Sequence, residues 1–347
     1  MRALVYQGSS GAVMEDRPRP KLIEPTDALV RITKTTICGT DLHILKGHVP
    51  SCAPGRILGH EGVGVVQDVG TAVRGFKVGD RVLISCITSC GRCAYCRRGM
   101  PSHCSTGGWI LGNTIDGTQA EWVRIPHADS SLYAIPADTD EEAMVMLSDI
   151  LPTGLECGVQ NGGVQPGSTV AIVGSGPIGL ATLLTAQLYS PAQIIMLDPD
   201  QNRLEIAKGL GATSVVDLSG KAAVEAVLKL TEGIGVDVAI EAVGLPASFE
   251  LCGDLIAPGG TIANIGVHGA PVSLHLERLW DRNITLTTRL VDAVSTPMLL
   301  RVLRSRRINP KSLVSHRFKL DRMMDAYDTF GRAKETRALK VLVETPS

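Results

Sequence analysis

The rhythm of apolar and polar positions changes near residue 143. Before it, short apolar runs at 28–34, 62–69, 81–84 and 119–125 are separated by Gly-Asp pairs and prolines. Such runs, too short for helices and closed off by turn residues, predict a barrel-like β region. From residue 168 onward the chain alternates. Apolar runs at 170–173, 194–197, 215–216, 236–240 and 261–265 are spaced by helical stretches such as 177–189 and 201–210. Strand and helix in strict succession predict a parallel sheet wrapped by helices. After about residue 294 a helix and a few short strands close the chain, with no internal repeat or low-complexity segment.

A length of 347 residues fits two domains. Aromatics make up only 3 %, so the cores must rest on Val, Ile, Leu and Ala. The 34 basic and 35 acidic residues leave a net charge of −1, which argues against nucleic acid or an anionic membrane as partner. No apolar run reaches the ~18 residues of a membrane-spanning helix. The N-terminus lacks the apolar region and cleavage site of a signal peptide. A cytoplasmic location follows as an expectation, and with it reduced thiols. Nine cysteines then call for a use other than disulfides.

Four of them, Cys90, Cys93, Cys96 and Cys104, form C-x2-C-x2-C-x7-C. Two-residue gaps let a turning backbone aim successive sulfurs at one point. Four thiolates satisfy a tetrahedral zinc completely, so this site is expected to be structural; an iron–sulfur cluster is the alternative occupant. Cys52, Cys86, Cys157 and Cys252 read as buried or incidental thiols.

Gly174-Ser-Gly176-Pro177-Ile178-Gly179 follows an apolar strand and opens a helix. In that context GxGxxG is a dinucleotide fingerprint. Its glycines allow the tight turn, the approach of a pyrophosphate and close helix packing, and the helix N-terminus offers free N–H groups to phosphate. Asp198 ends the next strand, 19 residues beyond Gly179. A carboxylate there accepts from both adenosine-ribose hydroxyls and repels a 2′-phosphate, which predicts NAD over NADP; Arg203 is within reach of the same ribose.

Three further segments are Cys38-Gly-Thr40-Asp-Leu-His43, Gly59-His60-Glu61-Gly-Val-Gly64 and Asp149-Ile-Leu-Pro-Thr153. Singly they say little. Together with the cysteine cluster and the glycine fingerprint, they make the chain resemble the zinc-dependent medium-chain alcohol dehydrogenases from end to end, and among them the microbial secondary-alcohol dehydrogenases. The resemblance implies an α/β protein with a GroES-like β-barrel catalytic domain at 1–150 and 295–347, and a Rossmann domain with a parallel sheet at 151–294. It implies two zinc ions per subunit, one catalytic and one structural, with Cys38, His60 and Asp149 as the catalytic ligands. Glu61 then corresponds to a transient ligand, Thr40 and His43 to a proton relay, and Thr153 to a neighbour of the nicotinamide. Lys340 corresponds to a basic pyrophosphate contact, with Arg337 as competitor. Trp109 corresponds to the wall of a small alkyl pocket.

The implied activity is hydride transfer between a small or medium, preferentially secondary, alcohol and NAD, giving a ketone or aldehyde. The implied assembly is a homo-oligomer, a tetramer before a dimer. Asp149 stands where liver-type enzymes have cysteine. Polyol or amino-alcohol oxidation is the alternative within the family, and a non-catalytic NAD-binding redox sensor the alternative outside it. The sensor predicts missing zinc ligands or relay residues, yet Cys38, Thr40, His43, His60 and Asp149 are all present.

Overall fold

The computed structural model describes residues 1–346. The first stretch of chain supplies seven strands: β1 (Arg2–Tyr6), β2 (Ala12–Asp16), β3 (Ala28–Ile37), β4 (Gly62–Val69), β5 (Arg81–Ile84), β6 (Trp122–Ile125) and β7 (Leu132–Ala134). Six follow in the middle: β8 (Thr169–Val173), β9 (Gln193–Leu197), β10 (Ser214–Val216), β11 (Val236–Glu241), β12 (Ile256–Asn264) and β13 (Thr285–Thr288). Two close the chain, β14 (Val314–Lys319) and β15 (Lys340–Glu344). They belong to two compact units, one of residues 1–149 with 292–347, the other of residues 150–291.

In the first unit a seven-stranded sheet runs β14-β15-β3-β4-β5-β7, with β6 also paired to β3. β15 lies parallel to β14 and antiparallel to β3, so the end of the chain completes a sheet begun by its start. Apolar side chains explain this return. Val341 and Val343 of β15 join Leu4, Ile37, Ile44 and Leu58, together with Met323, Ala326 and Phe330 of the helix Met323–Gly331, in one buried cluster. Each large side chain so buried contributes about 1.5–3 kcal/mol relative to solvent. A second cluster, Ala28, Val30, Ile32, Val66, Val82, Ile84, Val123 and Ile125, comes from alternate positions of neighbouring strands.

The second unit is a six-stranded, all-parallel sheet in the order β10-β9-β8-β11-β12-β13. The chain leaves β8 toward one edge and returns at β11 to build toward the other. The crevice between β8 and β11 is therefore the topological switch point, where ligands bind beyond the carboxyl ends of the strands. The strands are apolar almost throughout because helices Pro177–Ala186, Gln201–Gly209, Gly220–Leu230 and Pro246–Leu255 cross between them.

Two elements differ from the pattern of the sequence. The expected strand at 119–125 pairs with β3 only from Trp122; Gln119 before it is buried and its side chain is bonded elsewhere. No helix is legible around residue 155, yet Ile150–Thr153 is α-helical and continues as a π-helix over Gly154–Gln160. Gly154 and Gly158 face Thr182 so closely that a Cβ at Gly154 would lie 2.8 Å from the Thr182 nitrogen. Small residues, not apolar periodicity, specify that helix pair. Cys52, Cys86, Cys157 and Cys252 are buried. No helix among the described residues is long and apolar enough to cross a membrane.

An ionic clamp joins the helix Glu141–Val145 to β14. Arg317 donates from Nε to Glu142 Oε1 (2.9 Å) and from Nη2 to Oε2 (2.7 Å), and Lys311 Nζ lies 3.3 Å from Oε2. The two-pronged Arg317 bond, and Lys311 after it, hold the Glu142 carboxyl down at about 2, from an ordinary 4.5. A depressed carboxylate contributes stability above its unfolded pKa and loses it as pH falls through the folded one. Glu142→Gln is therefore expected to lower the melting temperature at neutral pH, with the deficit shrinking between pH 4.5 and about 2; a deficit independent of pH in that window would contradict the clamp.

Candidate active site

Cys38 immediately follows β3 and precedes the helix Gly39–Leu45. Its N–H donates to Asp41 Oδ2 (2.9 Å), which fixes the turn that presents the sulfur. His60 and Glu61 lead into β4. Gly59 before them has φ +93°, and a Cβ there would meet Gln119 Cγ at 2.6 Å and Thr118 Oγ1 at 2.8 Å, so only glycine delivers the chain to that point. Asp149 directly precedes the helix Ile150–Thr153.

These segments converge. One ligand atom from each of Cys38, His60, Glu61 and Asp149 lies within 4.8 Å of the others. Cys38 Sγ is 3.8 Å, and His60 Nε2 3.4 Å, from Asp149 Oδ2. Burial pulls a proton off His60, but bonds with Asp149 and Cys38 and the charge of Asp41 outweigh it and hold the imidazole well above its ordinary pKa. The pocket is thus anionic and attracts a cation. Behind the ring, His60 Nδ1 and Asp41 Oδ1 face each other at 3.8 Å, both buried and without hydrogen-bond partners. A metal on Nε2 requires the proton on Nδ1, where Asp41 is the only carboxylate in reach among the described residues. A soft thiolate, an imidazole and a carboxylate around a buried point fit zinc with a position left open.

Asp41 belongs to a longer chain that the sequence does not reveal. Gln119 Nε2 donates to Asp41 Oδ2 (3.0 Å), and Tyr327 Oη donates to Gln119 Oε1 (2.7 Å). Only Asp41, three residues from Cys38 inside the same motif, had a local signal. Lys340 also departs from its expected place. It is 1 % exposed, its Nζ pairs with Glu61 Oε2 and donates to the Ile37 carbonyl (3.2 Å), and Thr36 bonds the same carboxylate oxygen. Burial disfavours the lysine charge, but Glu61 and Cys38 more than restore it. Burial pushes Glu61 up to about 7 against the opposing pull of Lys340. The ammonium expected at a pyrophosphate is therefore occupied inside the protein; Arg337 nearby is exposed.

Thr40 Oγ1 is 3.7 Å from Cys38 Sγ. His43 lies on the same helix, its Nδ1 3.2 Å from His48 Nδ1. The Trp109 indole meets the His60 ring edge-on, with centroids 6.1 Å apart.

In the cysteine cluster three backbone N–H groups point at sulfurs of the cluster. Cys93 N lies 3.4 Å from Cys90 Sγ, Cys96 N 3.5 Å from Cys93 Sγ, and Cys90 N 3.2 Å from Cys104 Sγ. N–H groups of Cys96 and Ser105 lower Cys93 to about 5, whereas burial and the neighbouring thiols Cys93 and Cys104 drive Cys96 up to about 12. Four thiols so crowded ionise together only around a cation, as a closed tetrahedral zinc site demands.

In the second unit Gly174 and Gly176 follow β8, and Pro177 opens the next helix at its first position, with Ile178 half-exposed beside it. A Cβ on Gly179 would fall 1.8 Å from the Gly174 carbonyl, so the helix packs on the turn only with glycine there. Asp198 accepts from Ser175 N (2.7 Å) and Asp200 N (2.8 Å), which locks its carboxylate beside the turn. Arg203 Nη1 is 4.0 Å from Asp198. Thr153 is half-buried at the end of its short helix.

Known proteins share both units. Residues 24–137 match the alcohol dehydrogenase GroES-like domain, and residues 177–301 the zinc-binding dehydrogenase domain. A structure of zinc-dependent alcohol dehydrogenase 2 from Streptococcus pneumonia, in its apo form, is 53 % identical with a TM-score of 0.96, covering 100 % of this chain and 99 % of that one. An alcohol dehydrogenase of Cupriavidus necator is 37 % identical over 99 % of this chain and 98 % of its own. An NADP-dependent isopropanol dehydrogenase of Thermoanaerobacter brockii is 33 % identical over 91 % of each. The converging ligands, the glycine turn after β8 and these likenesses over the full length have one common account: the chain belongs to the zinc-dependent medium-chain alcohol dehydrogenase family, as an oxidoreductase acting on alcohols.

Proposed function

We propose that the protein oxidises small secondary alcohols to ketones with NAD, and runs the reverse reduction. The observation that carries this reading is the convergence of Cys38, His60 and Asp149, with Glu61 beside them, on one point; three of these as ligands would hold one zinc and leave a fourth position for a substrate oxygen. Zinc held there supplies Lewis acidity that lowers the pKa of an alcohol by many units. NAD supplies the hydride acceptor. The chain's own residues do the rest. Cys38 and Asp149 bring two negative charges and neutral His60 none, so the site approaches neutrality and an alcohol enters it without a large charge imbalance. Asp41 steadies the His60 ring from behind. Thr40 takes the hydroxyl proton and His43 carries it toward solvent, since an imidazole exchanges protons near neutral pH. Trp109, edge-on to His60, limits the alkyl groups beside the reacting carbon. The third glycine of the fingerprint and Asp198 fix the adenosine half of the cofactor; the carboxylate favours the free 2′-hydroxyl of NAD over the 2′-phosphate of NADP.

The test is cofactor reduction with 2-butanol, comparing NAD with NADP, before and after chelation and after zinc is restored. Activity with NAD that vanishes on chelation and returns with zinc is the expected result. Activity indifferent to chelation would remove the metal from the reaction. A preference for NADP would remove Asp198 as the discriminating group. A preference for polyols or primary alcohols would move the substrate class.

A further inference from the structure

His43 has a partner that no motif announces. The helix Gly39–Leu45 ends in a turn in which Gly47 N–H donates to the Ile44 carbonyl (2.9 Å). His48 N–H then donates to the His43 carbonyl (2.9 Å), folding the chain back on the helix. This brings the two imidazoles together, with Nδ1 to Nδ1 at 3.2 Å and ring centroids 5.5 Å apart. His43 is half-buried and His48 exposed.

Two Nδ1 atoms at that distance form a hydrogen bond only if one carries a proton and the other does not. The pair therefore accommodates a single additional proton, shared along the Nδ1–Nδ1 line. A second would make both atoms donors, facing each other with like charge. Such a pair is a two-step path. A proton arriving on His43 is handed from its Nδ1 to Nδ1 of His48, and His48 releases a proton from Nε2 to bulk water. His43 is left neutral, and exchange with solvent resets the tautomers. No other reactant is needed, and alcohol reduction runs the path backward. We infer that His48 is the outer base of the proton relay, the group that exchanges protons with solvent on behalf of half-buried His43. This inference rests on the assignment of His43 to the relay under the proposed function.

Electrostatics around the pair gives the inference a distinctive signature. His43 lies below its ordinary pKa, first through burial, then through the like charges of His48 and Lys46. A lowered pKa on the inner imidazole sends its proton outward. Removing His48 takes away both an acceptor and a like charge. Removing its basicity while keeping a charge takes away only the acceptor.

The experiment follows kcat for alcohol oxidation against pH, over roughly pH 5–9 in weak buffer, in the zinc-loaded holoenzymes of wild type, His43→Gln, His48→Gln and His48→Arg. Both His48 variants are expected to lose about threefold to tenfold in weak buffer, well short of the ~100-fold loss of a complete general base, and to recover on addition of imidazole. The acid limb should move to higher pH in His48→Gln and should not move up in His48→Arg. A merely structural role for this exposed turn predicts neither the imidazole rescue nor the opposite behaviour of the limbs. If His43→Gln is impaired while both His48 variants keep the wild-type rate and profile, the relay ends at His43 and the inference is overturned. If His43→Gln is itself unimpaired, the relay reading falls, and this inference with it.

Discussion

Asp149→Asn is expected to empty the catalytic metal site and leave the structural one filled. The Asp149 carboxylate lies 3.4 Å from His60 Nε2 and 3.8 Å from Cys38 Sγ, close enough for all three to share one ion. Asparagine keeps the size and removes the charge. A neutral amide oxygen is a poor ligand for zinc beside one thiolate and one imidazole, and the remaining set holds a single negative charge. Altering a group one shell further out typically costs about 10–100-fold in metal affinity or activity, so removing a ligand's charge should cost at least about 100-fold in kcat. If both candidate groups hold zinc, metal analysis should fall from two ions per chain to one, because Cys90, Cys93, Cys96 and Cys104 form a separate group. Asp149→Cys provides the control. A thiolate restores charge and softness, so this variant should regain the second zinc. Full metal content and rate in Asp149→Asn would show that the carboxylate is not a ligand.

The legible parts of the protein are those in which few residues carry a strong local constraint. Gly174 and Gly179 announce their turn because their surroundings leave no room for a side chain, and Cys90 to Cys104 announce theirs because four thiols at such close spacing have few uses other than holding a metal. Apolar runs such as 170–173 and 194–197 announce β8 and β9 because strands buried on both faces carry no polar interruption. The relation among Cys38, His60 and Asp149 was legible only through a resemblance. Nothing local in residue 149 points to residue 38, and their meeting depends on the register of β3 against β4 and on the chain between residues 134 and 149.

What stayed hidden is of one kind. Gln119 and Tyr327 meet Asp41 from distant parts of the sequence, and each is a polar residue with no spacing rule to mark it. The pairing of His43 with His48 depends on the turn at Gly47, which folds the chain back on the helix. The π-helix Gly154–Gln160 is specified by the fit of its glycines to Thr182, a tertiary contact. Long-range polar partnerships are chosen by packing, so they come into view only when packing does. They are also where a buried charge is at stake, and Lys340 shows how much depends on such a partner.

Lys340 sits in β15, 303 residues from its carbonyl partner Ile37 and 279 from Glu61, and both it and Glu61 are 1 % exposed. A lysine at that depth is tolerable only because the ammonium is paired and bonded. Lys340→Met keeps most of the apolar stem and removes the charge. It leaves Glu61 with Thr36 as its remaining side-chain hydrogen-bond partner and the Ile37 carbonyl without this donor. Breaking a buried pair from one side costs up to about 3–5 kcal/mol where the surviving charge stays ionised in a medium that solvates it poorly; Glu61, already pushed up to about 7, relieves part of that cost by taking a proton, so the loss is expected to grow as pH rises above 7. The holoenzyme of Lys340→Met is therefore expected to unfold at a markedly lower urea concentration. Replacing both partners at once, Glu61→Gln with Lys340→Met, leaves no buried charge and should recover most of that loss, since neutral groups of similar volume are often as stable as the pair they replace. The two single variants and the double variant close a thermodynamic cycle in which the coupling between residues 61 and 340 should stand well above the ~0.5 kcal/mol of independent sites. Additive losses would mean that Lys340 is held by packing of its stem alone. A strong coupling would mean that the last strand is fastened to the metal-binding segment by charge, so that the C-terminal residues of β15 and the Gly59-His60-Glu61 turn keep their register together.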